Sequence, residues 1–398
     1  MLPEQFIKIT EDLWSQYLSN VQSYLCAGKL SLNEGFVVLF PNILLITATK
    51  EHYLVELVGA NKKFKGLTVK RHKEDSTSRY LHQFSRAEGE AMFNVGGGGS
   101  GFKFLCLAHM TDLDALESRF PAIKLFRSRL VLNKPEGYGC LFNFLPDFAS
   151  THIDNCVLVN RRESLFRAKH ILSLIIVKKN IQKSEYRRYV ENLFNNQQEI
   201  TGVHVCSEKL ETNMVMAGQL QNLYLFPGLR ETTIGEFINT HPDVISKAFN
   251  TDKYIYEPYF PWLEGPNENQ DHAINPDLLI QRADGYFDIV DLKTAALMKR
   301  KLTKGPRKRR RFIDYVNEGI AQLANYREYF TFDKNKEYAR NKYNVELMDP
   351  NLILVVGNYD NFDPAEVDES ARQLDKSITI VDYDTIIQSL ISESISET

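Results

Sequence analysis

Short apolar runs separated by turn residues fill the first quarter of the chain. Residues 35–40 (GFVVLF), 43–49 (ILLITAT), 52–59 (HYLVELVG) and 65–72 (KGLTVKRH) each read as a β-strand. The longest apolar stretch, from Phe36, is broken by Pro41-Asn42 and reads as two strands joined by a turn. Residues 102–110 predict another strand, and 111–120 a helix with Thr111 as its cap. Between 120 and 225 the segments CVLVN, GVHVC and LYLFPG read as strands, whereas 167–179 (RAKHILSLIIVKK) and 184–196 (SEYRRYVENLFNN) read as helices.

From residue 226 the pattern changes. It predicts a helix over 233–248, a strand over 253–260, a hairpin over 277–293, a helix over 312–330 and a strand over 351–357. A helix, a strand near 377–381 and a final helix follow. The expected fold class is α/β (α+β), with a mixed C-terminal sheet flanked by helices on both faces and a strand-rich mixed N-terminal region. Three segments are expected: 1–110 strand-rich, 111–225 mixed and regulatory or assembly-forming, and 226–398 the last domain.

The chemistry concentrates in the hairpin PDLLIQRADGYFDIVDLK. Asp291 and Lys293 stand two apart on one strand, so they share a face. The turn at Ala283-Asp284-Gly285 returns the chain and brings Asp277 beside them. Two carboxylates with an adjacent ammonium can hold a divalent cation, orient a water and set positive charge on a phosphate. An exposed hairpin with a solvated Asp–Lys pair would carry the same letters. The flanking apolar residues favour the first reading, because a charge beside a buried sheet costs free energy unless a metal or partner compensates it.

The hairpin resembles the PD-(D/E)xK nuclease superfamily in its D-x-K form. Gln322 and Tyr326, an i, i+4 pair on one helix face, look like the Gln-x-x-x-Tyr element of its RecB-like branch. That resemblance implies that Gln322 reaches the active site and Tyr326 packs near it. It also implies a metal-linked glutamate on the first helix. Glu236 is the candidate, although Thr233 and Glu236 equally form a capping box; Glu257 is the alternative. The element order matches a restriction-endonuclease-like core.

Within that superfamily, residues 226–398 resemble the Shedu family of bacterial anti-phage nucleases. The similar stretches are EFINTHPDVI, PDLLIQRADGYFDIVDLKTA and GIAQLANYREYF. The resemblance implies a Mg2+-dependent DNA endonuclease (Mn2+ as a substitute), acting on phage DNA in the bacterial cytoplasm as a homo-oligomer, a tetramer among the options. Asp277, Asp291 and the Leu292 carbonyl would be metal ligands, and Lys293, Gln322 and Glu236 would complete the catalytic set.

A net charge of −3 gives no global pull toward a polyanion, so contact with nucleic acid has to be local. Residues 299–311 supply nine basic side chains in thirteen positions: Lys299, Arg300, Lys301, Lys304, Arg307, Lys308, Arg309, Arg310 and Arg311. Gly305-Pro306 makes part of this run a loop, which would attract a phosphate backbone. A solvated loop is the plainer reading. Residues 358–370 are acidic by contrast.

Other chemistries find no support. The five cysteines are scattered without a CxxC pair, which argues for reduced thiols and against a zinc ribbon. His204 and Cys206 share a strand face, but no second pair stands nearby. There is no G-x-S-x-G elbow, and the glycine run at 96–101 lacks the Gly-Lys-Ser/Thr of a P-loop. No apolar run spans a bilayer, and no secretory signal opens the chain. Two further readings remain open: a catalytically silent DNA-binding or assembly module with a nuclease fold, and an interaction protein whose basic loop binds another acidic partner.

Overall fold

In a computed structural model the protein is a mixed α and β chain forming two compact units, 1–228 with 391–398, and 229–390. The structure describes all residues except 31–34, 83–90, 99, 110–113, 115–117, 119–129, 134–139, 163–164, 196–199, 208, 227, 266–271, 307–308 and 393–398. Most of the helix expected over 111–120 lies outside the described residues. Among those described, no helix is long and apolar enough to cross a membrane.

The first unit is built on an eight-stranded sheet. Its central pair is Ser150–Arg162 and Leu165–Lys178, antiparallel, with His52–Val58 next to the latter. Strands from both sides of residue 110 enter this sheet, so no sheet boundary falls there. The helix expected over 167–179 is therefore a strand. Ile171, Ile175, Ile176 and Val177 are all fully buried, so both faces of this strand are covered and the period-2 signal is lost. Paired strands on each side and β-branched side chains then decide for extended backbone. LYLFPG, expected as a strand, is instead the end of the helix Lys209–Tyr224 and the turn after it. That helix is buried almost all round, so it shows no polar stripe. The helix Pro3–Cys26, unforeseen in the strand-rich reading, lays Phe6, Trp14 and Leu18 on the sheet residues Leu44, Val55 and Leu172.

The second unit carries the hairpin. Its elements are α1 (Glu231–Thr240), α2 (Pro242–Phe249), β1 (Tyr254–Tyr256), β2 (Leu278–Gln281), β3 (Phe287–Leu292), α3 (Asp314–Tyr329), α4 (Asp333–Tyr343), β4 (Leu352–Val355), α5 (Pro364–Leu374), β5 (Ile378–Val381) and α6 (Tyr383–Ser392). The five strands of its main sheet lie in sequence order; β1, β2 and β3 are antiparallel, and β4 and β5 run parallel to β3.

The helix expected over 233–248 is two helices, because His241-Pro242 interrupts it and Pro242 starts the second. The first begins at Glu231 with Arg230 as N-cap, so Thr233 does not cap it. The α4 helix was not foreseen: DKNKEYARNKY is polar nearly throughout, and only Asn335 and Ala339 are buried. The central strand β3 is buried along its whole length, and Val316, Leu323 and Tyr329 of α3 are fully buried in the core that includes Ile289 and Leu354. Each such side chain contributes about 1.5–3 kcal/mol by leaving water. This core fixes the backbone from which Asp291 and Lys293 project.

Candidate active site

The hairpin register sets the first relationship. Leu278 pairs with Val290, so Asp277, one residue earlier, stands across from Asp291. The Asp277 carboxylate accepts from the Leu292 amide at 2.6 Å. Asp291 is 1% exposed, and its Oδ2 lies 2.8 Å from Lys293 Nζ. That charge-assisted contact compensates the burial of the Asp291 oxygen.

Helix α3 supplies the next contact. Lys293 Nζ donates to Gln322 Oε1 at 2.9 Å. The same amide donates through Nε2 to the Tyr326 hydroxyl, which donates in turn to the Asn275 carbonyl at 3.3 Å. The i, i+4 spacing thus aligns Gln322 with its acceptor end on the ammonium. Tyr383 of α6, fully buried, donates to the Lys293 carbonyl at 2.6 Å.

Helix α1 contributes Glu231, which sequence reasoning missed. Its Oε2 stands 4.0 Å from Lys293 Nζ, while Oε1 accepts from Tyr315 at 2.9 Å. Glu236 is exposed and its charge is felt by Tyr256, as is that of Glu257. The two helix glutamates are five residues apart, about 140° around the axis at 3.6 residues per turn, so only one of them can face the lysine. Glu231 opens the helix, and an acidic residue in a first turn was the available signal. Glu257 is exposed in left-handed backbone (φ 44°), and its amide binds the Asp277 carbonyl at 2.9 Å.

The electrostatics follow from burial. Burial and the facing Asp291 push the Asp277 carboxyl up, to about 7. Asp291 is also raised by burial, against the pull of Lys293. Burial lowers Lys293, but Asp291, Glu231 and Asp277 outweigh it and hold the ammonium above its ordinary value. The cluster carries more negative than positive charge, which a cation would relieve.

Among the described residues, no group of three or more His, Cys, Asp or Glu side chains is gathered closely enough to form a ready-made metal cage. The two facing carboxylates still suit a hard ion such as Mg2+, which takes one or two carboxylates and keeps several waters. The donor set that fits such an ion is the pair of buried, facing carboxylates, with the Asp277 carboxyl pushed up by burial and by Asp291.

Residues 228–387 match the family described as Shedu protein SduA, C-terminal. Over these residues the chain is similar to the Shedu family. That similarity suggests a role in anti-phage defence. No curated protein matches the chain.

In the basic run of this unit, Thr303–Lys304 pairs antiparallel with Arg311–Phe312. Among the described residues, three of its cations are engaged by carboxylates. Arg310 meets Glu369 at 2.7 Å and Glu366 at 3.2 Å. Lys301 meets Glu366 at 3.1 Å, and Lys304 meets Asp314 at 2.7 Å. Lys299, Arg300, Arg309 and Arg311 are exposed. Arg307 and Lys308 lie outside the described residues.

Proposed function

We propose that the second unit is a metal-dependent DNA endonuclease that attacks phage DNA in the bacterial cytoplasm. The observation that supports this most directly is the set of Asp277 facing Asp291 with the Lys293 ammonium 2.8 Å from Asp291. Asp277, Asp291 and the Leu292 carbonyl would hold Mg2+, or Mn2+ in its place. The ion, when bound, supplies Lewis-acid polarisation and a water of lowered pKa. Lys293 orients the nucleophilic water and stabilises charge developing on the phosphate. Gln322 keeps the ammonium aimed, and Glu231 adds a third carboxylate at its far side. Lys299, Arg300, Arg309 and Arg311 are the exposed cations that would follow the phosphate backbone. Residues 1–228 would gate the activity, and the enzyme would work as a homo-oligomer.

A second reading has its own observation. Lys293 already neutralises Asp291, and no three-ligand group is present among the described residues, as in a silent DNA-binding module of the same fold. Cleavage of linear and circular DNA, with Mg2+ or EDTA, separates the two. The endonuclease cuts with Mg2+, and Lys293→Ala retains metal binding but loses cutting. DNA binding by the wild type without cutting at any metal concentration would leave the silent module.

A further inference from the structure

Glu231 is held from behind by a closed set of hydrogen bonds. The Tyr315 hydroxyl lies 2.9 Å from Glu231 Oε1, 2.9 Å from the Thr294 amide and 2.7 Å from Thr294 Oγ1. The Thr294 amide also reaches Glu231 Oε1, at 3.3 Å.

Proton accounting fixes the direction of each bond. The amide of Thr294 can only donate, and a carboxylate can only accept. The Tyr315 hydroxyl has one proton, and it goes to Glu231. Thr294 Oγ1 must then donate to the Tyr315 oxygen. The phenol thus accepts twice and donates once, an arrangement in which each bond polarises the next. Burial pushes the Tyr315 phenol up to about 12, with Glu231 adding to the rise, so it keeps its proton at neutral pH.

The geometry has a consequence for Oε2. With Oε1 pinned, the other oxygen is turned toward Lys293 Nζ. Thr294 directly follows Lys293, and Tyr315 sits in the first turn of α3. One phenol therefore ties the start of α1, the end of the lysine-bearing strand and the start of α3.

We propose that Tyr315, through Thr294, is a positioning residue that presents Glu231 Oε2 to the divalent cation and to Lys293. The inference rests on the metal-dependent reading above. It makes Tyr315 a determinant of metal affinity rather than of the bond-breaking step.

The test is Mn2+ binding to the full-length chain, followed by electron paramagnetic resonance, beside the metal dependence of DNA cleavage. Loss of a group that orients a metal ligand typically weakens metal binding about 10–100-fold. Tyr315→Phe is expected to weaken Mn2+ by about tenfold, with cutting at saturating metal close to the wild-type rate. Glu231→Gln should weaken Mn2+ binding at least as much and lower cleavage as well, and Thr294→Val should weaken Mn2+ binding less. If Tyr315→Phe unfolds, Thr294→Val carries the comparison. A variant that melts lower but binds Mn2+ as the wild type does overturns the inference and leaves the nuclease reading standing. A wild type that binds no Mn2+ at all removes the metal reading, and this inference with it.

Discussion

Gly319 lets helix α3 lie directly on Leu354 of β4. A Cβ at position 319 would stand 2.7 Å from Leu354 Cδ1 and 3.4 Å from Lys293 Cε. The same contact that seats the helix thus seats the lysine and places Gln322, one turn further on, at Nζ.

That closeness predicts the effect of adding side-chain atoms. A glycine within a helix costs about 0.5–1 kcal/mol relative to alanine, whereas overpacking a core costs about 1–3 kcal/mol. The clash is with a buried strand residue, so it outweighs the gain in helix propensity. Gly319→Val should lower the melting temperature by about 2–4 °C per kcal/mol lost, as for a unit of this size. It should also lower DNA cleavage more than its stability loss explains. A Gly319→Val chain that is as stable as the wild type would show that the helix has room to spare.

Glu231 and Glu236 make a matched pair of carboxylates on one helix. Removal of Glu231 takes a partner from Lys293, Tyr315 and Thr294 together, whereas Glu236 is exposed. Glu231→Gln should cut cleavage by about tenfold or more, the usual loss for a group that orients a metal site, and Glu236→Gln should stay near wild type. The reverse ranking in a side-by-side cleavage assay would return the helix role to Glu236.

The contrast between these two glutamates also shows what can be read from letters alone. Asp277, Asp291 and Lys293 were legible because a tight hairpin and a period of two fix their neighbours within seventeen residues. Gln322 was legible because its i, i+4 partner Tyr326 marks a helix face. Glu231 and Tyr315 meet across 84 positions of sequence, and no periodicity encodes such a meeting. The strand Leu165–Lys178 is not legible in the sequence because its covered faces erase the alternation. The basic run and the acidic residues after 358 are each visible in the sequence. Their pairing, Arg310 with Glu366 and Glu369, needs the β3–α3–β4 crossover to bring them together.

That pairing divides the basic hairpin into two classes. Arg310 is largely buried between its two carboxylates, so Arg310→Ala should cost about 1 kcal/mol, as for a partly exposed ion pair. It should leave the salt dependence of DNA binding almost unchanged. Lys299, Arg300, Arg309 and Arg311 would neutralise four phosphates, a slope of log K against log salt of about −3.6. Their joint replacement by alanine should flatten the slope toward zero while the melting temperature holds. A slope that falls equally with Arg310→Ala would mean that phosphate displaces the carboxylates.

The raised carboxyl of Asp277 has a sign that can be worked through. Its ordinary value is 3.8, and in the folded chain it is pushed to about 7 by burial and by Asp291. Between these values the folded state keeps a proton that the unfolded state has lost, so this group makes stability fall as pH rises and level off above about 7. Asp277→Asn removes the effect. The stability of Asp277→Asn relative to wild type, measured by thermal melts in EDTA, should therefore climb from pH 4 to about 7 and then stay flat. Metal ligands must be deprotonated, so Mg2+ has to displace the same proton on the acid side. Calorimetry in two buffers of different ionisation enthalpy should find proton release on Mg2+ binding at pH 6 and little at pH 8. A stability difference that does not change with pH, or metal binding that releases no proton at pH 6, would place that proton elsewhere and leave the facing carboxylates both ionised.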